Sequence, residues 1–340
     1  MTGPPRRWKP RKERTPPRDL SRQRDRFEWE VLPEEHGSRL DRWLLHKLDW
    51  RSRTSIVDLI RGGRVLLEGR PVTRKSAKVL QGDRVAVLVP PAPEEERHAE
   101  LAERLAARIV WEDRDLVVID KPAGLVVHPV GSVRVNTLIQ GLHWLYRHGS
   151  RPEPATLPRV CHRLDRETSG LLVVAKNLTA RSALQLAFEG HQVEKEYVAV
   201  VAGRVSGERG TVDAPIGRDP GSASGVVMCV RMDGLPARTD WQVLERFDAA
   251  TLVQFTLHTG RQHQIRVHAR ALGHAVLCDP LYADGPQRWP PGAAEPAIAR
   301  LALHARRLAF THPGDEGARV ECQAPLPQDL SALLSALRGA

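Results

Sequence analysis

The sequence predicts an α+β protein built from more than one domain. After residue 108, apolar segments with strand character dominate. Helical patterns interrupt them without the regular strand–helix alternation that indicates a parallel α/β sheet. The length of 340 residues allows about two or three domains with substantial cores. Apolar residues make up 41% and charged residues 27%, a balance typical of globular proteins that excludes a chain disordered throughout.

Composition excludes several other classes of protein. The sequence has no apolar run long enough to span a membrane and no apolar signal-peptide core at its N-terminus. The four cysteines are far apart and form no CxxC pair, which argues against a disulfide scaffold or a zinc finger. A reducing, cytoplasmic location is therefore expected. The net charge of +10 favours a polyanionic partner such as nucleic acid.

Residues 1–35 are expected to form a basic, disordered arm. Residues 1–26 hold ten Lys and Arg residues against three acidic ones, together with five prolines, and carry +7 of the net charge. Such a segment has too few apolar residues to fold alone. Its role stays open between a solubilising tail and an arm that binds phosphates.

Residues 36–90 are predicted to form a compact module. Apolar residues at helical spacing predict two helices, the second ending at Gly62, and short strands follow over residues 64–72 and 82–90. Many of its polar positions are basic.

Residues 91–107 follow a run of prolines and are predicted to form a solvated linker helix. The rest, residues 108–335, is predicted to be one larger domain rich in strands. Helices are expected in it near residues 178–190 and 261–272.

The densest polar cluster is CHRLDRETSG at residues 161–170. It places Asp165 between Arg163 and Arg166, where neighbouring cations favour the ionised carboxylate. An ionised aspartate can act as a nucleophile or as a base. From composition alone, an aspartate that only anchors the loop through arginine pairs is the simpler interpretation.

A second cluster, HTGRQHQIRVHARALGH, spans residues 258–274. It predicts a helix that starts near Arg261 and carries Arg266, and a helix N-terminus flanked by arginines is suited to an anion. Its histidines lack the spacing and the acidic companion of a zinc motif.

Tyr197 lies in a predicted strand, where a core role or stacking on a base are both open. The turn after Asp120, KPAG, is predicted to join two apolar strands.

These segments together resemble the RluA-type pseudouridine synthases, which convert uridine to pseudouridine in ribosomal or transfer RNA. The resemblance covers about residues 108–330 and is carried by an ordered series of motifs, of which the HRLD motif is the most specific. Residues 36–90 are similar to the alpha-L RNA-binding module of ribosomal small-subunit protein S-four. The motifs, in chain order, are DKPAGLVVHP, HRLDRETSG, KEYVAVVAG, GLPARTDWQVLERF, TGRQHQIRVHARALGH, DPLYAD and LHARRLAFTHP.

The resemblance implies a role for individual residues. Asp165 occupies the position of the family's essential aspartate, Tyr197 that of the tyrosine contacting the target base, and Arg266 that of the arginine pairing with the aspartate. Arg163 and Arg261 are the further predicted substrate contacts. The chain departs from the family pattern at three positions, where Glu167, Gln262 and Cys278 replace the commoner Asp, Thr and Gly.

The resemblance implies a large mixed, mainly antiparallel sheet with flanking helices, and an enzyme that isomerises uridine. Such a reaction needs no metal and no cofactor, and none is expected. Ribosomal RNA is the expected partner, with transfer RNA as the alternative, and the protein is expected to be a cytoplasmic monomer with no membrane partner. Two other hypotheses remain: a non-catalytic RNA-binding or ribosome-assembly factor, and an N-glycosylase that uses a carboxylate to release free base.

Overall fold

The computed structural model describes most of the chain after residue 25. The chain divides into two compact units, residues 1–98 with 130–134, and residues 99–129 with 135–340. The predicted arm over residues 1–25 and the proline run over residues 90–93 lie outside the described residues. The described residues are 26–48, 53–88, 95–130, 133, 135–153, 156–222, 225–284, 288–289, 296–315 and 317–339.

The first unit is a small antiparallel sheet with two helices. Its strands lie in the order β1-β4-β2-β3, and its core is formed by residues such as Leu44, Ile60 and Val87. Its elements are β1 (Arg26–Glu30), a 3₁₀ turn (Pro33–Glu35), α1 (Leu40–Lys47), α2 (Arg53–Arg61), β2 (Val65–Leu67), β3 (Arg70–Pro71) and β4 (Arg84–Leu88).

The prediction of disorder up to residue 35 is wrong for residues 26–35. Strand β1 pairs with β4 along its whole length, and Phe27 and Val31 are buried in the core of the unit. Alternating apolar residues at 27, 29 and 31 give this segment one face that the sheet can bury. The prediction of disorder extended the basic composition of residues 1–26 to this segment and overlooked the alternation.

The helix predicted over residues 91–107 is present as α3 (Glu95–Ala106), but it is not solvated on all sides. Leu101, Ala102 and Leu105 are buried. Leu101 and Leu105 lie so close to Gly141 that a Cβ on that glycine would meet their side chains at 2.9 and 2.7 Å. This part of α3 therefore packs into the larger unit by one apolar face.

A large mixed sheet organises the second unit. Its strands follow the order β10-β13-β14-β9-β15-β8-β6-β5, with β16 beside β15 and β7 beside β8. The strands are β5 (Ile109–Glu112), β6 (Leu116–Lys121), β7 (Arg159–Val160), β8 (Ser169–Ala175), β9 (Glu194–Ala202), β10 (Arg209–Asp213), β11 (Ile216–Arg218), β12 (Met228–Val230), β13 (Arg238–Arg246), β14 (Ala250–Leu257), β15 (Leu303–Thr311) and β16 (Arg319–Gln323). Strands β11 and β12 form a separate hairpin.

Four helices accompany this sheet in the described part of the unit: α4 (Leu138–Arg147), α5 (Leu178–Glu189), α6 (Gln264–Ala271) and α7 (Gln328–Arg338). Asn177 caps α5, because its side chain accepts the N–H of Ala180 at 2.9 Å. The predicted α+β class, with a mainly antiparallel sheet, is confirmed. None of the described helices is long and apolar enough to cross a membrane.

Strand β15 joins the two halves of the large sheet. It runs antiparallel to β9 and parallel to the start of β8, where Ala305 lies opposite Gly170. Gly170 has a φ of +110°, and a Cβ there would come within 2.2 Å of the Ala305 carbonyl oxygen. Only glycine fits this crossing. It fixes the start of β8, directly after the 161–168 loop.

The second strand predicted after the turn following Asp120 is not formed. The chain is irregular over residues 125–129. There the carbonyls of Val126 and Val127 accept the N–H groups of Leu138 and Ile139 at the start of α4, at 2.9 and 3.1 Å. These carbonyls satisfy helix donors instead of a neighbouring strand.

Candidate active site

The five predicted site residues meet at one cavity of about 610 Å³. Asp165 lies in the loop before β8, Tyr197 on β9, and Arg266 on α6. The loop and the two elements are brought to one place because β15 joins β8 to β9. The Asp165 side chain is 31% exposed, so it can meet a substrate while its partners remain buried. The predicted residues that line the cavity are Arg163, Asp165, Tyr197, Arg261 and Arg266.

Arg266 holds Asp165 from one side. Its Nη1 donates to Asp165 Oδ2 at 3.0 Å. Its Nε and Nη2 both donate to the carboxylate of Asp279 at 2.7 Å. Burial alone would lower the pKa of Arg266, but Asp279 and then Asp165 outweigh it, and the pKa is raised above its usual value. The guanidinium is thus permanently charged and fixed by two carboxylates.

Asp279 is the carboxylate that orients Arg266, and it was not assigned a role from the sequence. Its side chain is fully buried. One oxygen also accepts the backbone N–H groups of Leu281 and Tyr282, at 2.9 and 3.2 Å. A buried carboxylate with this many donors has a fixed position. It presents the Arg266 fork to Asp165 in one orientation.

Tyr197 forms a buried wall of the cavity. It is 8% exposed, and burial, with the nearby charge of Asp165, raises the pKa of its hydroxyl far above the usual value. The phenol therefore keeps its proton at any physiological pH. Its ring offers a flat apolar surface and its hydroxyl remains a neutral hydrogen-bonding group.

Lys121 is a second residue that the sequence motifs did not single out. It is fully buried at the end of β6. Its Nζ donates to three backbone carbonyls, those of Pro122, Leu125 and Arg166, at 2.9 to 3.1 Å. Burial lowers its pKa to about 7, against the attraction of Glu167 and Asp165. Lys121 thereby ties the turn after β6 to the residue that follows Asp165.

His263 is the third residue that sequence reasoning missed. It has a φ of 56°, a left-handed conformation that costs a non-glycine residue energy and is often found at functional sites. Its Nδ1 lies 2.8 Å from the Tyr282 hydroxyl, and its Nε2 lies 4.0 Å from Asp165 Oδ2. Burial lowers its pKa, although Asp165 opposes the shift. A neutral imidazole thus stands beside the carboxylate.

The helix predicted to start near Arg261 begins three residues later, at Gln264. The left-handed His263 precedes it, and the Gln264 side chain folds back to accept the N–H of Arg261 at 2.9 Å. Arg261 itself donates through Nε to the carbonyl of Pro236. The N–H of Arg261 is therefore occupied by this glutamine side chain and is not free for an anion. Arg163 is exposed and makes no hydrogen bond or ion pair with a described residue.

One group of side chains, among those that the structure describes, has the proximity of a metal site. The ligand atoms of Asp113, Asp115 and His312 lie within 4.8 Å of one another. His312 Nδ1 accepts the N–H of Gly314 at 3.1 Å. One oxygen of Asp113 accepts the N–H groups of Asp115 and Leu116, at 2.8 and 2.7 Å. We interpret the group as a hydrogen-bonded turn.

Comparisons with known families match both units. Residues 115–271 match the RNA pseudouridylate synthase family, and residues 38–85 match the S4 domain.

Curated relatives cover most of the chain. A protein of Neisseria meningitidis named ribosomal large subunit pseudouridine synthase D is 40% identical over 309 residues, 89% of this chain and 79% of its own. A protein of the same name from Pseudomonas aeruginosa is 40% identical over 91% of this chain and 95% of its own. Among solved structures, human RNA pseudouridylate synthase domain containing 4 is similar, with a TM-score of 0.57 and 30% identity, covering 72% of this chain and 97% of that one.

Proposed function

The chain belongs to the RNA pseudouridylate synthase family, and from that membership we propose that it isomerises uridine in ribosomal RNA, with Asp165 as the catalytic carboxylate. The observation that carries the assignment of Asp165 is its position. It is a partly exposed carboxylate that lines the cavity, and Arg266 binds it at 3.0 Å. This bond holds the carboxylate in one orientation towards the cavity.

The reaction rearranges bonds without net oxidation or hydrolysis. The N1–C1′ bond breaks, the uracil turns within the site, C5 joins C1′, a proton leaves C5 and another binds N1. An ionised Asp165 supports this either by attacking C1′ or by accepting a proton near it. Both routes need the carboxylate held in one orientation. The short contact with the Arg266 fork supports that requirement.

The cavity suits a uracil that has been taken out of an RNA helix. A base inside a duplex cannot reach a carboxylate in a pocket, so the nucleotide has to flip out. Leu164, Ile265 and Leu303 give the cavity apolar walls, and Tyr197 adds an aromatic face. A dry pocket would retain the freed uracil long enough to turn. We assign Arg163 and Arg261 at its rim to contacts with the RNA strand.

The substrate class is inferred from the relatives and from the first unit. The Neisseria and Pseudomonas relatives are named for the large ribosomal subunit, and the S4 match supports RNA binding. We therefore favour large-subunit ribosomal RNA, with transfer RNA as the alternative. A ribosomal substrate implies a cytoplasmic enzyme, and we expect it to act as a monomer.

The test follows the proton that leaves C5. Large-subunit ribosomal RNA carrying tritium at C5 of uridine is incubated with the purified protein, and tritium released to water is counted. We expect release by the wild type and none above background by the Asp165→Asn variant. Free uracil in the medium would indicate an N-glycosylase. Binding of the RNA by folded wild type without tritium release or free uracil would overturn the proposed activity.

A further inference from the structure

Two arginines beside the cavity have no acidic partner. Arg159 lies on β7 and Arg181 in the second turn of α5. The Nε atoms of both are buried and have no hydrogen-bond partner, and neither guanidinium forms an ion pair in the described part of the chain. Burial lowers the pKa of Arg159, and the like charge of Arg181 lowers it further. Helix α5 contacts strand β7, so the two cations lie on neighbouring elements and repel each other.

Several other partly buried arginines of this unit are paired with carboxylates. Arg266 pairs with Asp279, Arg300 with Asp329, and Arg307 with Glu321. A half-buried cation costs free energy unless an anion or hydrogen bonds compensate it. None of the described residues supplies that compensation to Arg159 or Arg181. An external anion bound between them would supply it.

The pair is next to the proposed active site. Val160 and Cys161, which follow Arg159 directly, line the same cavity as Asp165. The charge of Arg181 reaches Cys161, where burial raises the pKa of the thiol to about 11 against that charge. An anion held by the two arginines would therefore lie against the wall of the cavity that contains Asp165.

We propose that Arg159 and Arg181 together bind one phosphodiester group of the RNA strand, close to the nucleotide that enters the cavity. A phosphate oxygen pair matches the planar donors of guanidinium, and one anion between two such groups removes their repulsion. Contacts of this kind set the position of a strand without reading its sequence. This inference rests on the proposed function, because it takes the anion from the RNA substrate. Free phosphate shares the same chemistry and is separated from RNA by the test.

The test uses the full chain with Arg159→Gln, Arg181→Gln and both together. The matched control is Arg338→Gln, which removes the same charge from an exposed arginine that pairs with Glu245 at 2.6 Å. Binding of large-subunit ribosomal RNA is measured by filter binding at several salt concentrations. We expect the slope of log K against log salt to fall by about 0.7 to 0.9 in the double variant, the value for one lost phosphate contact. The control slope should stay unchanged.

Two further measurements separate this role from a structural one. The melting temperature of the double variant should equal or exceed that of the wild type, because a repulsive pair has been removed. A lower melting temperature, or a salt slope equal to that of Arg338→Gln, would overturn the inference.

Inorganic phosphate is titrated in parallel. Loss of phosphate binding in the double variant without a change in RNA slope would also overturn it. The binding assay does not depend on turnover. The salt slopes therefore still test this inference if the wild type fails to isomerise uridine.

Discussion

Asp279 binds Arg266 from the buried side of the proposed active site. Replacing Asp279 by asparagine tests how Arg266 is held. The Asp279→Asn variant keeps the shape of the side chain but removes the charge and turns one of the two acceptors of Arg266 into a donor. Both hydrogen bonds to Arg266 are 2.7 Å long, and Asp279 is fully buried. Removing one partner of a buried ion pair costs about 3 to 5 kcal/mol. Since asparagine still accepts one bond, we expect a loss near 3 kcal/mol.

For a unit of this size, a loss near 3 kcal/mol corresponds to a decrease of about 6 to 12 °C in melting temperature. It is measured by differential scanning calorimetry. Single-turnover product formation below that temperature should also slow, because the fork that orients Asp165 is no longer fixed. Glu245→Gln is the control, since it breaks a similar two-bond pair with Arg338 at the surface, where such pairs contribute about 0 to 1 kcal/mol. If the Asp279→Asn variant keeps the melting temperature and rate of the wild type, Asp279 does not hold Arg266 in place.

Four further results are expected. Asp165→Asn should reduce the single-turnover rate by about four powers of ten while RNA affinity in filter binding stays near that of the wild type; a rate near wild type would remove Asp165 from the mechanism. Arg266→Lys keeps the charge but loses the planar fork, so the same kinetics should show a loss of about ten- to a hundredfold; an unchanged rate would contradict the oriented pair. Burial lowers the pKa of His162 to about 3, and its Nε2 accepts the N–H of Val173, so only the unfolded chain binds a proton there as the pH falls below about 6.5. Melting temperature should therefore drop between pH 7 and 5, and less so in His162→Gln; equal drops in both proteins would count against this assignment. Removing residues 1–90 should weaken RNA binding and flatten its salt dependence but leave turnover at saturating enzyme, and a folded truncation with no turnover would show that these residues help to build the site.

The sequence predicted those parts of the site that lie within continuous motifs. Asp165, Tyr197 and Arg266 were found because each lies in a motif with a family resemblance, and the structure brings them to one cavity. Lys121 and Asp279 were missed as contributors, although both lie in quoted motifs. Their importance depends on burial and on hydrogen bonds to distant residues, and neither property can be read from local composition.

The fold shows the same division between local and long-range information. Segments with clear strand character were located correctly, such as the continuous apolar run of β8 and the alternating pattern of β14. The start of α6 was misplaced because the left-handed His263 and the returning side chain of Gln264 delay it. The sequence did not predict that β15 lies between β9 and β8, because the pairing of strands across the sheet depends on tertiary contacts.

The central position of β15 also determines when the enzyme becomes competent during its own synthesis. Ser169 and His304, whose side chains meet at 2.9 Å where β8 and β15 run side by side, are 135 residues apart in sequence. Strands β5 to β8 and strands β9 to β14 therefore leave the ribosome well before the strand that unites them. Contacts so distant in sequence form slowly. In the sheet order, β15 is the strand that joins the half next to Asp165 to the half that carries Tyr197. Activity should thus begin only after the last part of the chain has emerged, so that a protein still being translated does not act on RNA.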